Sequence, residues 1–235
     1  MADSISYKVT PTIELILRKG SIADHQGDAI FLLNSSSTDF PPMGGTLNSL
    51  YVKDEDSIVK PANSLSIWDI IQEYVKTGIS DSQIIQKESG TEDLKYCVAE
   101  FNNPRPYNVY AVDVTKARWP NLKYLIFGNI GNENEGVLGK IYYPYSKQHI
   151  SRLEDEIDTL LKGTMEKSKE MGFQDLAMPV LTGDKTHPLY FFVQLVRTLE
   201  ETDPTRLPSK IVVYAYEDGH YEHGLEFLGR FKSKK

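Results

Sequence analysis

The sequence predicts a layered α/β fold with a largely buried, mixed central sheet. Three observations carry this. The second half reads helix, strand, helix, strand with short connections. Asp28–Leu33 is an almost wholly apolar run, as a strand buried on both faces must be. Two β-rich stretches open the chain close enough together to form a hairpin, so the sheet is not purely parallel.

The elements follow in order. Ser4–Thr10 and Thr12–Arg18 are the opening strands, the second alternating Ile13, Leu15 and Leu17 on one face. Asp28–Leu33 runs into polar Asn34–Ser37. Ser66–Thr77 reads as a helix, with Ser66 as N-cap, an Ile67, Ile70, Ile71, Tyr74 stripe and Gly78 at C′. Lys95–Phe101, Asn108–Val114 and Leu122–Phe127 are strands. Arg152–Met171 is a long helix: Ser151 and Glu154 form a capping box, and Leu153, Ile157, Leu160, Leu161 and Met165 its apolar face. Gly172 ends it. Asp175–Leu181 is a strand, Pro188 opens a helix to about Thr202 as its N1 residue, and Ile211–Tyr216 is the last strand. No helix is expected around His220 and His223, and Lys232–Lys235 reads as a solvated end.

A length of 235 residues suits one domain over 1–235, with an insertion-like region at about 52–96. No apolar run reaches the ~18–20 residues that cross a bilayer, so no membrane partner is expected. The single cysteine, Cys97, excludes an internal disulfide and a Cys-based zinc cluster. Met1–Lys19 lacks a signal-like apolar core, so the expected setting is intracellular and cytoplasmic. With 26 Lys plus Arg against 33 Asp plus Glu, the net charge is −7, which disfavours non-specific nucleic-acid binding. An anionic small molecule would therefore be held by local backbone N–H groups.

Three glycine-bearing segments stand where ligands gather in such sheets, at the carboxyl ends of strands. They are Lys19-Gly20-Ser21-Ile22, the stretch from Asn34 to Met43-Gly44-Gly45-Thr46, and Leu181-Thr182-Gly183-Asp184-Lys185-Thr186-His187-Pro188. Each alone is an ordinary α/β turn. Their order is more telling: Gly20-Ser21-Ile22 precedes Asp28-Ala29-Ile30, Asn34 follows that strand, Gly44-Gly45 comes next, and Met178-Pro179-Val180-Leu181-Thr182-Gly183 precedes Pro188.

This succession resembles the macrodomain family of ADP-ribose-binding proteins, over about Ile13 to Leu228. Leu122–Phe127 is similar to a central strand of that family. The resemblance implies a three-layer α/β/α fold with helices on both faces. It implies ADP-ribose or a related adenine nucleotide as ligand, and an ADP-ribosylated protein or an effector protein as a further partner. It also implies roles. Gly20, Ser21 and Ile22 would approach the adenine, and Asn34 the distal ribose. Gly44, Gly45 and Thr46 would face one phosphate, and Thr182, Gly183 and Asp184 the other. Tyr216 would stack on the adenine, with Tyr214 as its substitute. No cofactor or metal is implied.

The departures from the family pattern fall inside these motifs. Ser21 stands where the family has an Asp that accepts from the adenine amino group, and a neutral hydroxyl loses charge-assisted strength. Ser35 holds the second Asn position, Gly44-Gly45 is a pair rather than a triplet, and Thr186 replaces a glycine. Recognition without turnover is the first reading. The alternative is an ADP-ribosyl hydrolase using Asn34, Asp184 and His187, with Asn48 near the distal ribose. A third is an interaction domain with an empty pocket.

Rival chemistries lack their parts. Gly131-Asn-Glu-Asn-Glu-Gly136 is followed by Val137, without the Lys and Ser/Thr of a P-loop. His220 and His223 want a further ligand for a metal. There is no Gly-x-Ser-x-Gly elbow, and Cys97 reads as a buried strand thiol.

Overall fold

The computed structural model of the chain describes residues 4–34, 70, 109–116, 119, 121–129, 147–181 and 187–232. The expected helix at 66–77 (Ile70 apart), the strand at 95–101, Cys97 and the 131–139 loop lie outside them.

Seven strands form one sheet: β1 Ser4–Thr10, β2 Ile13–Lys19, β3 Ala29–Asn34, β4 Val109–Asp113, β5 Tyr124–Asn129, β6 Asp175–Pro179 and β7 Lys210–Ala215. Their spatial order is β1-β2-β7-β6-β3-β5-β4. The five inner strands are parallel, and β1 and β4 pair antiparallel at the edges. The sheet is thus mixed, with the antiparallel opening hairpin turning at Thr10 and Ile13. Strand β3 lies between β5 and β6, so the chain leaves β5 on one side of it and re-enters as β6 on the other. That reversal makes the carboxyl ends of β3 and β6 the switch point of the sheet.

Three α-helices, α1 Lys147–Met171, α2 Leu189–Glu201 and α3 Asp218–Lys232, pack together on the sheet. They cover the sheet face presented by Leu15, Leu17, Phe31, Ile126, Leu176, Met178, Ile211 and Val213. The predicted α1 stripe of Leu153, Ile157, Leu160, Leu161 and Met165 is buried against this face, as are Phe191, Phe192, Leu195 and Leu199 of α2. Each such side chain contributes about 1.5–3 kcal/mol. Alternate strand residues, Ile30, Leu32, Leu125, Phe127, Ala177 and Val212, are equally buried on the opposite face. The sheet is covered on both sides, as a three-layer α/β/α architecture requires.

Three local expectations are corrected. Helix α1 begins at Lys147, so Ser151 is inside it and forms no capping box. The stripe located the helix, but the first turn lies before the serine that resembled a cap. Pro188 is the N-cap of α2 rather than N1. Residues 218–232 are helical although Gly219, Gly224 and Gly229 lower their propensity. Tertiary packing overrides that: Gly224 lets α3 lie so close that a Cβ there would come within 2.6 Å of Phe192 and 2.8 Å of Leu17.

Candidate functional site at the carboxyl edge of the sheet

The carboxyl ends of β2, β7, β6, β3 and β5 lie along one edge. Asn34 and Asn129 are register partners there, at the ends of β3 and β5. The N-terminus of α2 follows β6 and that of α3 follows β7, so both helices begin at this edge.

The best-defined part is the turn after β2. Gly20 has φ +132°, a conformation that L side chains rarely adopt, and its N–H donates to Ala215 O at 3.0 Å. That bond ties the turn to the end of β7, immediately before Tyr216. Ser21 caps the short 3-10 turn Ile22–Asp24, its Oγ accepting the Ala23 N–H at 3.2 Å. The Ser21 carbonyl accepts from Asp24 and the Ile22 carbonyl from His25. Ile22 and Ala23 are buried beneath the turn. Tyr216, the residue after Ala215, is 79% exposed, a large aromatic side chain left in solvent. Tyr214 is placed differently. Its ring is buried, its hydroxyl oxygen accepts from Arg18 at 3.1 Å, and the Arg18 guanidinium lies 5.6 Å from its centroid.

On the helix side, His187 Nδ1 accepts the Leu189 N–H at 3.2 Å, and its ring stands 4.3 Å from that of His223. Burial first and His223 second lower the His187 pKa, against the opposing pull of Glu226. His187 is thus a neutral group at the start of α2. Lys19 Nζ meets Asp218 at 2.9 Å, and His220 lies 3.6 Å from Glu217. Among the described residues no three His, Cys, Asp or Glu side chains converge as a metal site.

Of the residues expected from sequence, the structure thus brings Gly20, Ser21, Ile22, Tyr214 and Tyr216 to one corner, and His187 to the helix side of the same edge. Asn34 is placed by its backbone at the end of β3. Gly44, Gly45, Thr46, Asn48, Thr182, Gly183 and Asp184 lie outside the described residues.

The sequence reading missed a chain of polar groups beneath the turn. His25 is buried, with Nδ1 3.4 Å from the Tyr214 hydroxyl and Nε2 3.4 Å from Asp175 Oδ1. Lys210 Nζ donates to Asp175 Oδ2 at 2.7 Å. Burial holds the His25 pKa down at about 4; the Asp175 carboxylate opposes this, while Lys210 and Arg18 reinforce it. The imidazole is therefore neutral, and its approach to Asp175 is not an ion pair at pH 7. Arg18 and Tyr214 are 196 residues apart in the chain, so no local spacing could have signalled this group.

No protein-family model and no curated protein matches the chain. Solved structures do. The Oceanobacillus iheyensis macrodomain with ADP aligns over 100% of both chains at 14% identity, with a TM-score of 0.62. The macro domain of ganglioside induced differentiation associated protein 2 aligns over 94% of this chain and 86% of its own, at 14% identity and 0.53. The Trypanosoma brucei macrodomain in complex with ADP-ribose aligns over 92% of this chain and 69% of its own, at 15% identity and 0.51. At these identities the likeness is one of fold. The chain adopts the macrodomain fold.

Proposed function

We propose that the protein binds ADP-ribose or a related adenine nucleotide at the carboxyl edge of its sheet, as a recognition or sensor module. One observation carries this reading: the Gly20–Ile22 turn is hydrogen-bonded to Ala215 at the end of β7, and the residue that follows, Tyr216, is exposed. A flat base laid there meets an aromatic face on one side and the Ser21 hydroxyl at its edge. The fold likeness to macrodomains with ADP and with ADP-ribose supports the same ligand class. Gly44, Gly45 and Thr46, with Thr182, Gly183 and Asp184, are assigned to the phosphates, and Asn34 with Asn48 to the distal ribose. This is binding without turnover.

Calorimetric titration with ADP-ribose, with NAD and AMP as controls, tests it. Micromolar affinity, about 8 kcal/mol, with weaker controls is expected. Absence of heat with all three would remove ADP-ribose as ligand. Release of ADP-ribose from a modified protein during the same incubation would replace recognition with hydrolysis, and Asn34, Asp184 and His187 would then be the residues to substitute.

A further inference from the structure

Residues 20–28 lead from the carboxyl end of β2 to the amino end of β3, parallel to it in the sheet. They carry the Gly20–Ile22 turn at one end. At the other, Asp28 accepts the Gln174 N–H at 3.0 Å and meets Lys123 Nζ at 2.9 Å. Between these ends the buried His25 is the polar anchor. It reaches into the sheet face opposite α1–α3, where strand alternation also puts Arg18, Tyr214 and Asp175.

The two ends of this chain, Arg18 and Asp175, each have one role and so orient the groups between them. Arg18 can only donate, so the Tyr214 oxygen accepts from it. At the other end the Asp175 carboxylate can only accept, so the His25 nitrogen facing it, Nε2, carries the proton and Nδ1 is left to accept from the Tyr214 hydroxyl. A neutral imidazole accepting at Nδ1 carries its proton on Nε2, and that N–H faces Asp175 Oδ1. Asp175 is held in turn by Lys210. One tautomer matches the donor or acceptor character of both neighbours. Space is reserved for it too: a Cβ on Gly27 would lie 2.4 Å from both His25 Nε2 and Asp175 Cγ. The contacts are long, and among the described residues Arg18 Nε, His25 Nε2 and Asp175 Oδ1 have no hydrogen-bond partner. The group therefore acts by shape and dipole orientation rather than by strong bonds.

We infer that His25 is a positioning residue: held between Tyr214 and Asp175, it fixes the crossover and so sets the Gly20–Ile22 turn against the end of β7. Its consequence for ligand rests on the reading above, in which that turn meets the base. Loss of His25 then weakens recognition of the base and leaves recognition of ribose and phosphate alone.

The test uses the full chain with His25→Phe, His25→Gln and Tyr214→Phe. Amide hydrogen exchange is read at Ala23 and Asp24, whose N–H groups close the turn. Affinity is read for ADP-ribose and for ribose 5-phosphate. His25→Phe is expected to accelerate exchange at both amides at least tenfold and to weaken ADP-ribose about tenfold, with ribose 5-phosphate unchanged. Tyr214→Phe keeps the ring packing, so it serves even where His25→Phe fails to fold; its effects have the same sign and are smaller. His25→Gln recovers part of the loss. Unchanged exchange in both His25→Phe and Tyr214→Phe overturns the inference, as does equal weakening of both ligands, which a merely structural role would give. If the wild type binds no ADP-ribose, the nucleotide reading fails, and the exchange arm alone decides whether His25 positions the turn.

Discussion

The Ser21 hydroxyl oxygen accepts the amide proton of Ala23 at 3.2 Å, so the residue assigned to the base is also the cap of its own turn. One lone pair is engaged by the backbone. What remains for a ligand is one lone pair and the hydroxyl proton. Such a group accepts from an adenine amino group only as a neutral oxygen, whereas a carboxylate would keep capping and still offer a charged acceptor.

Ser21→Asp should therefore tighten ADP-ribose. The expected gain is about tenfold, ~1.4 kcal/mol, read by titration against ribose 5-phosphate as a base-free control. A base that touches Ser21 makes the gain specific to ADP-ribose. An unchanged affinity would move the base away from this turn.

Gly20→Ala separates backbone strain from packing, because among the described residues nothing lies within 4 Å of the position an alanine Cβ would take. The φ of +132° is strained for any L side chain, at a cost of roughly 1–3 kcal/mol. Gly172, at φ +74° after α1, is equally open but sits in the milder left-handed region. Urea denaturation of both alanine variants should show Gly20→Ala as the more destabilised. The reverse order would remove strain at Gly20 as the reason for a glycine there.

How far the sequence reached depended on whether a signal was local. The strands were legible because alternation and apolar runs are local, and most observed ends fall within a residue or two of those expected. The body of α1 was legible through its stripe, but its start was not, since Ser151 and Glu154 imitate a cap from inside the helix. Helix α3 was hidden by its three glycines, at least one of which serves a tertiary contact. The candidate site divides the same way. Gly20, Ser21 and Ile22 were marked by composition and order, whereas His25, Arg18, Asp175 and Lys210 are united only by the pairing of distant strands. Tyr214 and Tyr216 share a face by alternation and were interchangeable in sequence; the end of β7 at Ala215 separates them, leaving Tyr214 buried within the strand and Tyr216 exposed beyond it.

Acid should expose His25. Its pKa is about 4 in the fold against an ordinary 6.5. Between those values the unfolded chain binds the proton and the folded chain does not, so stability falls as pH falls, by about 1.4 kcal/mol per unit. The contribution is intact above pH 6.5 and lost by about pH 4, roughly 3 kcal/mol in all. His187, lowered for its own reasons, adds a slope of the same sign. Asp28 acts later. Burial alone would raise its pKa, but the bonds from Lys123 and the Gln174 N–H prevail and hold it below 3.8, so its contribution is lost only below that value. Urea titrations at pH 4.5 and 7.0 should give a smaller acid loss for His25→Gln than for the wild type. Equal losses would mean that His25 titrates normally.

Tyr216 offers the cleanest separation of fold from function. A ring that is 79% exposed buries almost nothing, so Tyr216→Ala should change stability by less than about 0.5 kcal/mol. Its neighbour Tyr214, buried and bonded to Arg18, would not tolerate the same truncation. If the base stacks on Tyr216, the variant loses on the order of 1–3 kcal/mol of affinity, between about fivefold and 150-fold. Tyr216→Phe keeps the ring face and should bind nearly as the wild type does. Titration of both variants with ADP-ribose, alongside their denaturation curves, reads the two effects independently. Loss of affinity in the alanine variant, retention in the phenylalanine variant and unchanged stability in both would place the base on this ring. Wild-type affinity in Tyr216→Ala would leave the exposed ring without a ligand role and put the base elsewhere along the edge.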